Sequence, residues 1–222
     1  MGLQVQQWAN DQSSHTEKIS YLQAIHKDIG VLIPRIEGQI SELVQQKEAQ
    51  AMLVELSVSP DELPKQEELD YLMYKGLYNI NVLDPMSVSY VEMKEAGKLS
   101  LLNDPQLSRA FLKLEGALAG LERMNEEMIQ ITYDYADPFL IENYDVHAVV
   151  GPNGESPKTW LDPTQYRTDS ATAIKTRKFR NIVLYRADSV NTALRRANST
   201  LDAYREINDL LESRLTVSGQ SP

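Results

Sequence analysis

The chain contains no cysteine. Disulfides, thiolate nucleophiles and Cys-ligated metals are therefore excluded. No run of 18 apolar residues occurs either, so no segment reads as a membrane-spanning helix. Histidine is scarce, with three in 222 residues. His15 and His26 lie eleven apart, about 16 Å along a helix, too far to share one metal ion. None of His15, His26 and His147 has Glu three positions earlier, so the Glu-x-x-His ligand pair of di-iron bundles is missing. Gly-x-Ser-x-Gly, Ser-x-x-Lys and Walker-type phosphate loops are also missing. Gly97-Lys98 is followed by Leu99 and lacks the upstream glycine. These absences lead to the expectation of a protein that is not an enzyme, with no catalytic residue, no cofactor and no metal. Basic residues are outnumbered, 22 Lys and Arg against 32 Asp and Glu, for a net charge of −10. Phosphate binding needs a basic surface, so nucleic acid is not expected as a partner.

What the chain does have is helical periodicity. Apolar residues fall at Leu22, Ile25, Ile29, Leu32, Ile36, Ile40 and Leu43, at spacings of three and four. One helix over about residues 3–56 is expected, kinked at Pro34 without ending there. After a break at Pro60-Asp61-Glu62, shorter helices are expected over Gln66–Tyr78 and Pro85–Ala96, with Asp84 or Ser87 as cap of the second. Gly97 reads as a helix end and structural turn at positive φ. Asn103-Asp104-Pro105 starts a helix, with Asn103 or Asp104 as N-cap and Pro105 in its first turn; its seam is Leu107, Phe111, Leu114, Leu118, Leu121, Met128 and Tyr135, with Asn125 in it toward a polar partner, and the pattern frays at Asp137-Pro138. Residues 149–168, rich in Gly and Pro, read as a long irregular connection. A last helix from Ser170 to Leu215 carries Val183, Ala187, Val190, Leu194, Ala197, Leu201, Tyr204, Leu211 and Leu215, and the tail 216–222 is expected to fray. The fold class is all-α: an elongated helical bundle of three long helices plus two or more short ones, in a single domain over 1–222.

Charge is distributed unevenly. Residues 1–150 hold 11 Lys/Arg against 24 Asp/Glu, and residues 151–222 hold 11 against 8. A basic C-terminal helix packed beside acidic ones follows, with Lys175, Arg177, Lys178 and Arg180 offsetting neighbouring carboxylates or gripping an anion. The candidate ligand or partner segment is Tyr133, Asp134 and Asp137, with Tyr144 and Asp145. Tyrosine and carboxylate side chains there could build a polar pocket. The plainer reading places Tyr135 in the core and leaves Asp134 and Asp137 solvated or paired with the basic helix.

One resemblance rests on two stretches. The first is Leu3-Gln4-Val5-Gln6-Gln7-Trp8-Ala9-Asn10, followed by Tyr21-Leu22 and Asp28. The second is Tyr90-Val91-Glu92-Met93, then Gly97-Lys98-Leu99-Ser100-Leu101-Leu102, Leu107 and Phe111, with conservative departures at Met93, Leu102 and Phe111; in the first, Ala9 stands before Asn10 where the family usually has Asn directly after Trp. These resemble the soluble part of an uncharacterised bacterial family of single-span membrane proteins, a domain of unknown function. In that family an apolar span runs directly into a Leu-Gln-x-x-x-Trp segment. The resemblance covers the N-terminal half. It implies that residues 1–10 are the membrane-proximal start of the first helix, held by an upstream span absent from this chain. It also implies Trp8 at the membrane interface, and a bacterial inner-membrane location with this soluble domain facing the periplasm. The expected function is a membrane-anchored, periplasmic helical interaction or scaffold module for a protein partner. The alternative is an extracytoplasmic bundle that senses a small ligand. A seam left unburied within one chain would make a homo-oligomer.

Overall fold

The structure is a computed structural model that describes residues 2–59, 63–146, 149 and 170–217, with side chains from residue 12 onward apart from 170 and 171. It is an all-α helical bundle, with no strand among the described residues. The long helices are α1 (Gly2–Val58), α4 (Pro105–Ile131) and α7 (Arg177–Val217). The short ones are α2 (Gln66–Met73), α3 (Val88–Glu95), α5 (Asp137–Asn143) and α6 (Ser170–Ile174). A π-helical turn at Tyr74–Tyr78 extends α2, a second at Thr132–Ala136 joins α4 to α5, and a 3₁₀ turn spans Lys98–Leu102. Trp8 lies in α1, but its side chain is outside the described residues. So are His147, the 149–168 connection apart from Val149, and the tail beyond Val217.

The chain divides into two compact units. The first comprises Met1–Gly38, Leu83–Leu121 and Arg196–Pro222. Its buried residues are the expected stripe of α1, namely Leu22, Ile25, Ile29, Leu32 and Ile36. With them go Tyr90 and Met93 of α3, Leu107, Phe111 and Leu114 of α4, and Leu201, Tyr204, Leu211 and Leu215 of α7. Pro34 sits exposed within α1, and the stripe passes it in phase.

Polar contacts hold the short elements of this unit in place. Asp28 Oδ2 accepts from Ser87 Oγ and from the backbone N–H of Ser89, both at 2.9 Å. Ser87 in turn caps α3 by accepting from Tyr90 N. Asp28 and Tyr90 thus belong to one joint between α1 and α3. Tyr90 also stacks on Phe111, centroids 4.3 Å apart and nearly parallel, and donates through its hydroxyl to Glu115. Tyr204 donates to the carbonyl of Pro85.

Gly97 does adopt positive φ, at 68°, and nothing lies within 4 Å of where a Cβ would stand. The penalty for a side chain there is one of backbone conformation alone. Gly97→Val is expected to destabilise by about 1 to 2 kcal/mol and Gly97→Asn by less, because asparagine tolerates the left-handed region. Thermal melts of the two variants check this order. Asn103 next along is itself left-handed, at φ 40°.

Asp104, not Asn103, caps α4. Its Oδ1 accepts from the N–H groups of Gln106 and Leu107, and its Oδ2 from Arg214 Nε at 2.7 Å. Burial pushes this carboxyl upward, but the Arg214 bond and the two amides outweigh it and hold it below its ordinary value. A depressed carboxylate stabilises the fold above its unfolded pKa, and that contribution is lost as pH falls through the folded value. Asp104→Ala is therefore expected to cost about 1 to 2 kcal/mol at neutral pH. The gap between variant and parent should close in acid, as read from urea unfolding at a series of pH values.

The second unit comprises Gln39–Val82 and Glu122–Arg195. Its core gathers Leu53 of α1, Leu69, Leu72 and Met73 of α2, Leu77 of the first π turn, Phe139 and Leu140 of α5, Ile174 of α6, and Phe179 and Val183 of α7. Two expectations are corrected in this unit. The last helix is not continuous from Ser170. It breaks at Lys175-Thr176, where Thr176 Oγ1 accepts from Phe179 N and caps α7. Nor does the helix of α4 fray at Asp137-Pro138. It widens into the π turn at Thr132–Ala136 and then resumes as α5 with Pro138 in its first turn. A π turn holds one more residue than an α turn, so every later side chain rotates relative to the seam. That rotation takes Tyr135 out of the core: it is 49% exposed, and Thr132 and Ala136 are buried instead.

Candidate functional site: a buried polar centre

The seam of α1 does not stay apolar. Counting on by threes and fours from Leu43 leads to Gln46 and Gln50, both fully buried. Each spends its amide N–H on a main-chain carbonyl at the end of α2. Gln46 Nε2 donates to Asn79 O at 2.7 Å, and Gln50 Nε2 to Gly76 O at 2.9 Å. A Cβ at Gly76 would stand 2.7 Å from Leu53 Cδ1, so a larger residue there would oblige the Leu53 side chain to shift. The same happens on α7. Arg186, with no exposed surface, occupies a seam position between Val183 and Val190. Ala187 and Leu194, the expected seam residues, are only half-buried, because the buried line runs through Arg186 and Ala193.

Arg186 connects the pieces. Its Nη2 donates to Asn79 O at 2.8 Å, the carbonyl that also receives Gln46, and its Nη1 donates to Met128 O at 3.2 Å. Met128 O lies just before the second π turn and accepts from Thr132 Oγ1 as well. Irregular hydrogen-bond pitch frees main-chain carbonyls, and a buried guanidinium is well suited to collect them. The two π turns pack against each other.

Burial lowers the affinity of Arg186 for its proton, to a pKa of about 10, with the Asp137 carboxylate partly opposing the shift. Burial likewise raises Asp137, and the Arg186 charge partly offsets it. The two groups thus feel each other's charge, yet Asp137 Oδ1 and Arg186 Nε are both without a hydrogen-bond partner. Three more buried polar atoms are equally unpaired: Gln46 Oε1, Gln50 Oε1 and Asn81 Nδ2. Unpaired polar atoms inside a protein are costly and few. All five belong to the second unit; Gln46 and Arg186 meet at the Asn79 carbonyl, and Asp137 and Arg186 interact through their charges. Asn79, Asn81 and Asp137 are half-buried.

Of the five residues singled out in the acidic tyrosine segment, only Asp137 belongs to this centre. Tyr133 and Asp134 are exposed. Tyr144 is buried elsewhere in the unit, its hydroxyl donating to Asp70 Oδ1 at 3.0 Å, and Gln66 Nε2 donates to the same oxygen at 2.7 Å. Asp145 is half-buried. In the basic run, Lys178 pairs with Glu142 at 3.0 Å, the offset expected from the charge distribution. His26 faces Glu212 at 3.6 Å and His15 is exposed. No cluster of three metal-ligating side chains occurs among the described residues. Gln46, Gln50 and Arg186 do not emerge from the apolar residues that define the seams. A polar residue at a seam position was the available signal.

These features define a class: an all-α helical bundle with buried polar groups in its second unit. No family model, curated protein or solved structure matches the chain.

Proposed function

We propose that this protein is a non-catalytic helical binding module that takes up a small polar ligand in its second unit. The observation that carries this reading is the set of five unpaired buried atoms on Gln46, Gln50, Asn81, Asp137 and Arg186. A bundle whose only task is to stay folded gains nothing by leaving hydrogen-bonding capacity idle in its core. Ligand sites typically combine an apolar wall with a few converging polar groups. The resemblance to single-span bacterial proteins supports a membrane anchor and a periplasmic location, which would make the module a sensor or receptor outside the cytoplasm.

Screening small polar metabolites by thermal shift tests the reading. A concentration-dependent rise in melting temperature is the expected result, since a ligand that binds only the folded state stabilises it. A panel without any stabilising compound would overturn it. Fractionation of cells expressing the natural protein tests the anchor, and recovery in the soluble fraction alone would remove it.

A second reading, a scaffold for a protein partner or a second copy of the chain, draws on one feature. Tyr135 and Tyr185 meet edge to face, centroids 5.9 Å apart, and each is half exposed, with Leu184 exposed beside Tyr185. Exposed aromatic pairs of this kind are common in interfaces. Crosslinking in intact membranes separates a client from self-association, and Tyr185→Ser should weaken either.

A further inference from the structure

In the second unit, the outward face of α7 is a short strip with a definite order. Leu184 is 48% exposed and Tyr185 49%, and the only other exposed large apolar side chain described on α7 is Val217 at its end. Arg180 precedes Leu184 by four residues and Asp188 follows it by four, so the three lie on one face of the helix. Both charged side chains are exposed, and neither has an ion-pair partner among the described residues. They stand about 12 Å apart along the axis, too far to pair with each other. Tyr185 flanks the strip and meets Tyr135 edge to face, centroids 5.9 Å apart. We propose that this strip seats a second copy of the chain, with the two α7 helices packed antiparallel across a two-fold axis at Leu184.

Within the interface reading above, on which this rests, charge favours a second copy over an unrelated protein. A two-fold axis puts the same patch on both sides of an interface, so the patch must complement itself. A face of one sign repels its own copy. This one carries a cation and a carboxylate at equal distances on either side of an apolar residue. With the helices antiparallel and Leu184 against Leu184 of the second copy, Arg180 falls at the height of Asp188 of the second copy, and Asp188 at the height of its Arg180. Two identical ion pairs then bracket an apolar middle, the usual layout of a protein interface. A parallel arrangement in the same register sets Arg180 against Arg180 and Asp188 against Asp188, and like charges disfavour it. The antiparallel axis also leaves both Tyr135–Tyr185 pairs on one edge of the seam, where they widen the apolar contact.

Sedimentation equilibrium of the intact chain over about 1 to 100 µM tests the pairing, and a monomer–dimer equilibrium is expected. Arg180→Asp and Asp188→Arg should each weaken the dimer by about tenfold or more, because each substitution acts twice and leaves like charges facing. The double substitution restores opposite charges and should bring the affinity back to within about threefold of the parent. Both side chains are exposed, so circular dichroism should be the same in all three variants. The chain has no cysteine, so a single introduced thiol can be followed cleanly. Leu184→Cys should close an intermolecular disulfide under mild oxidation, and Arg195→Cys, whose two copies would stand about 33 Å apart, should not. A chain that stays monomeric over the whole range overturns the second copy. If crosslinking still captures a client that Tyr185→Ser loses, the interface reading itself survives that result. A dimer indifferent to both charge substitutions, or one that crosslinks equally through Arg195→Cys, uses another face or register and overturns the proposal.

Discussion

Arg186→Ala is expected to destabilise the protein by about 3 to 5 kcal/mol, the range for removing one partner from a buried charged network. Two effects add. The carbonyls of Asn79 and Met128 each lose a charged donor, and Asp137 loses the favourable charge of Arg186. Arg186→Met should cost distinctly less, although it forfeits the same two hydrogen bonds. A methionine fills most of the volume and removes the desolvation penalty of a buried guanidinium. Urea unfolding monitored by circular dichroism gives both values. Equal losses for the two variants would mean that the lost charge and hydrogen bonds, and not volume, set the cost. An unchanged midpoint for Arg186→Ala would mean that the two π turns hold without it.

Phe139→Ala is expected to cost about 3 to 5 kcal/mol, while Tyr135→Ala, four residues earlier, should cost about 0.5 kcal/mol or less. Phe139 is 1% exposed in the core of the second unit, its ring 5.6 Å from that of Phe179. Its removal would leave a cavity bounded by helices that cannot collapse freely. Tyr135 contributes one exposed edge-to-face contact with Tyr185. A straight α-helix would put both on the buried face, since Tyr135 continues the seven-residue step from Leu107 through Leu114, Leu121 and Met128, and Phe139 lies eleven residues, about three turns, beyond Met128. The pair of substitutions is therefore a direct assay of the π turn. Comparable losses at the two positions would contradict the rotated register.

Much of the architecture could be read in advance from local pattern. The stripe from Leu22 to Leu43, the stop at Gly97, the Asp104-Pro105 start and the span Gln66–Tyr78 each depend on residues within a turn or two of one another. Helical period, capping chemistry and the conformational freedom of glycine act over that range. The site was less legible. Of the acidic tyrosine segment, Asp137 alone joined the buried centre, and Gln46, Gln50 and Arg186 lay on stretches read only for their apolar members.

Thus the sequence by itself determined an all-α chain, three long helices, the identity of most of the residues that turn inward and the places where helices start and stop. Tertiary structure alone decided the register beyond Met128 and the partners of the buried polar groups. A π turn differs from an α turn by a single residue, and which one forms depends on the packing of α5 and on donors such as Arg186 that serve the freed carbonyls. Likewise, Gln46, Asn79, Asp137 and Arg186 stand far apart in the chain, and no spacing rule links them. They become one site only because burial obliges each polar group to find a partner among the segments that folding places beside it.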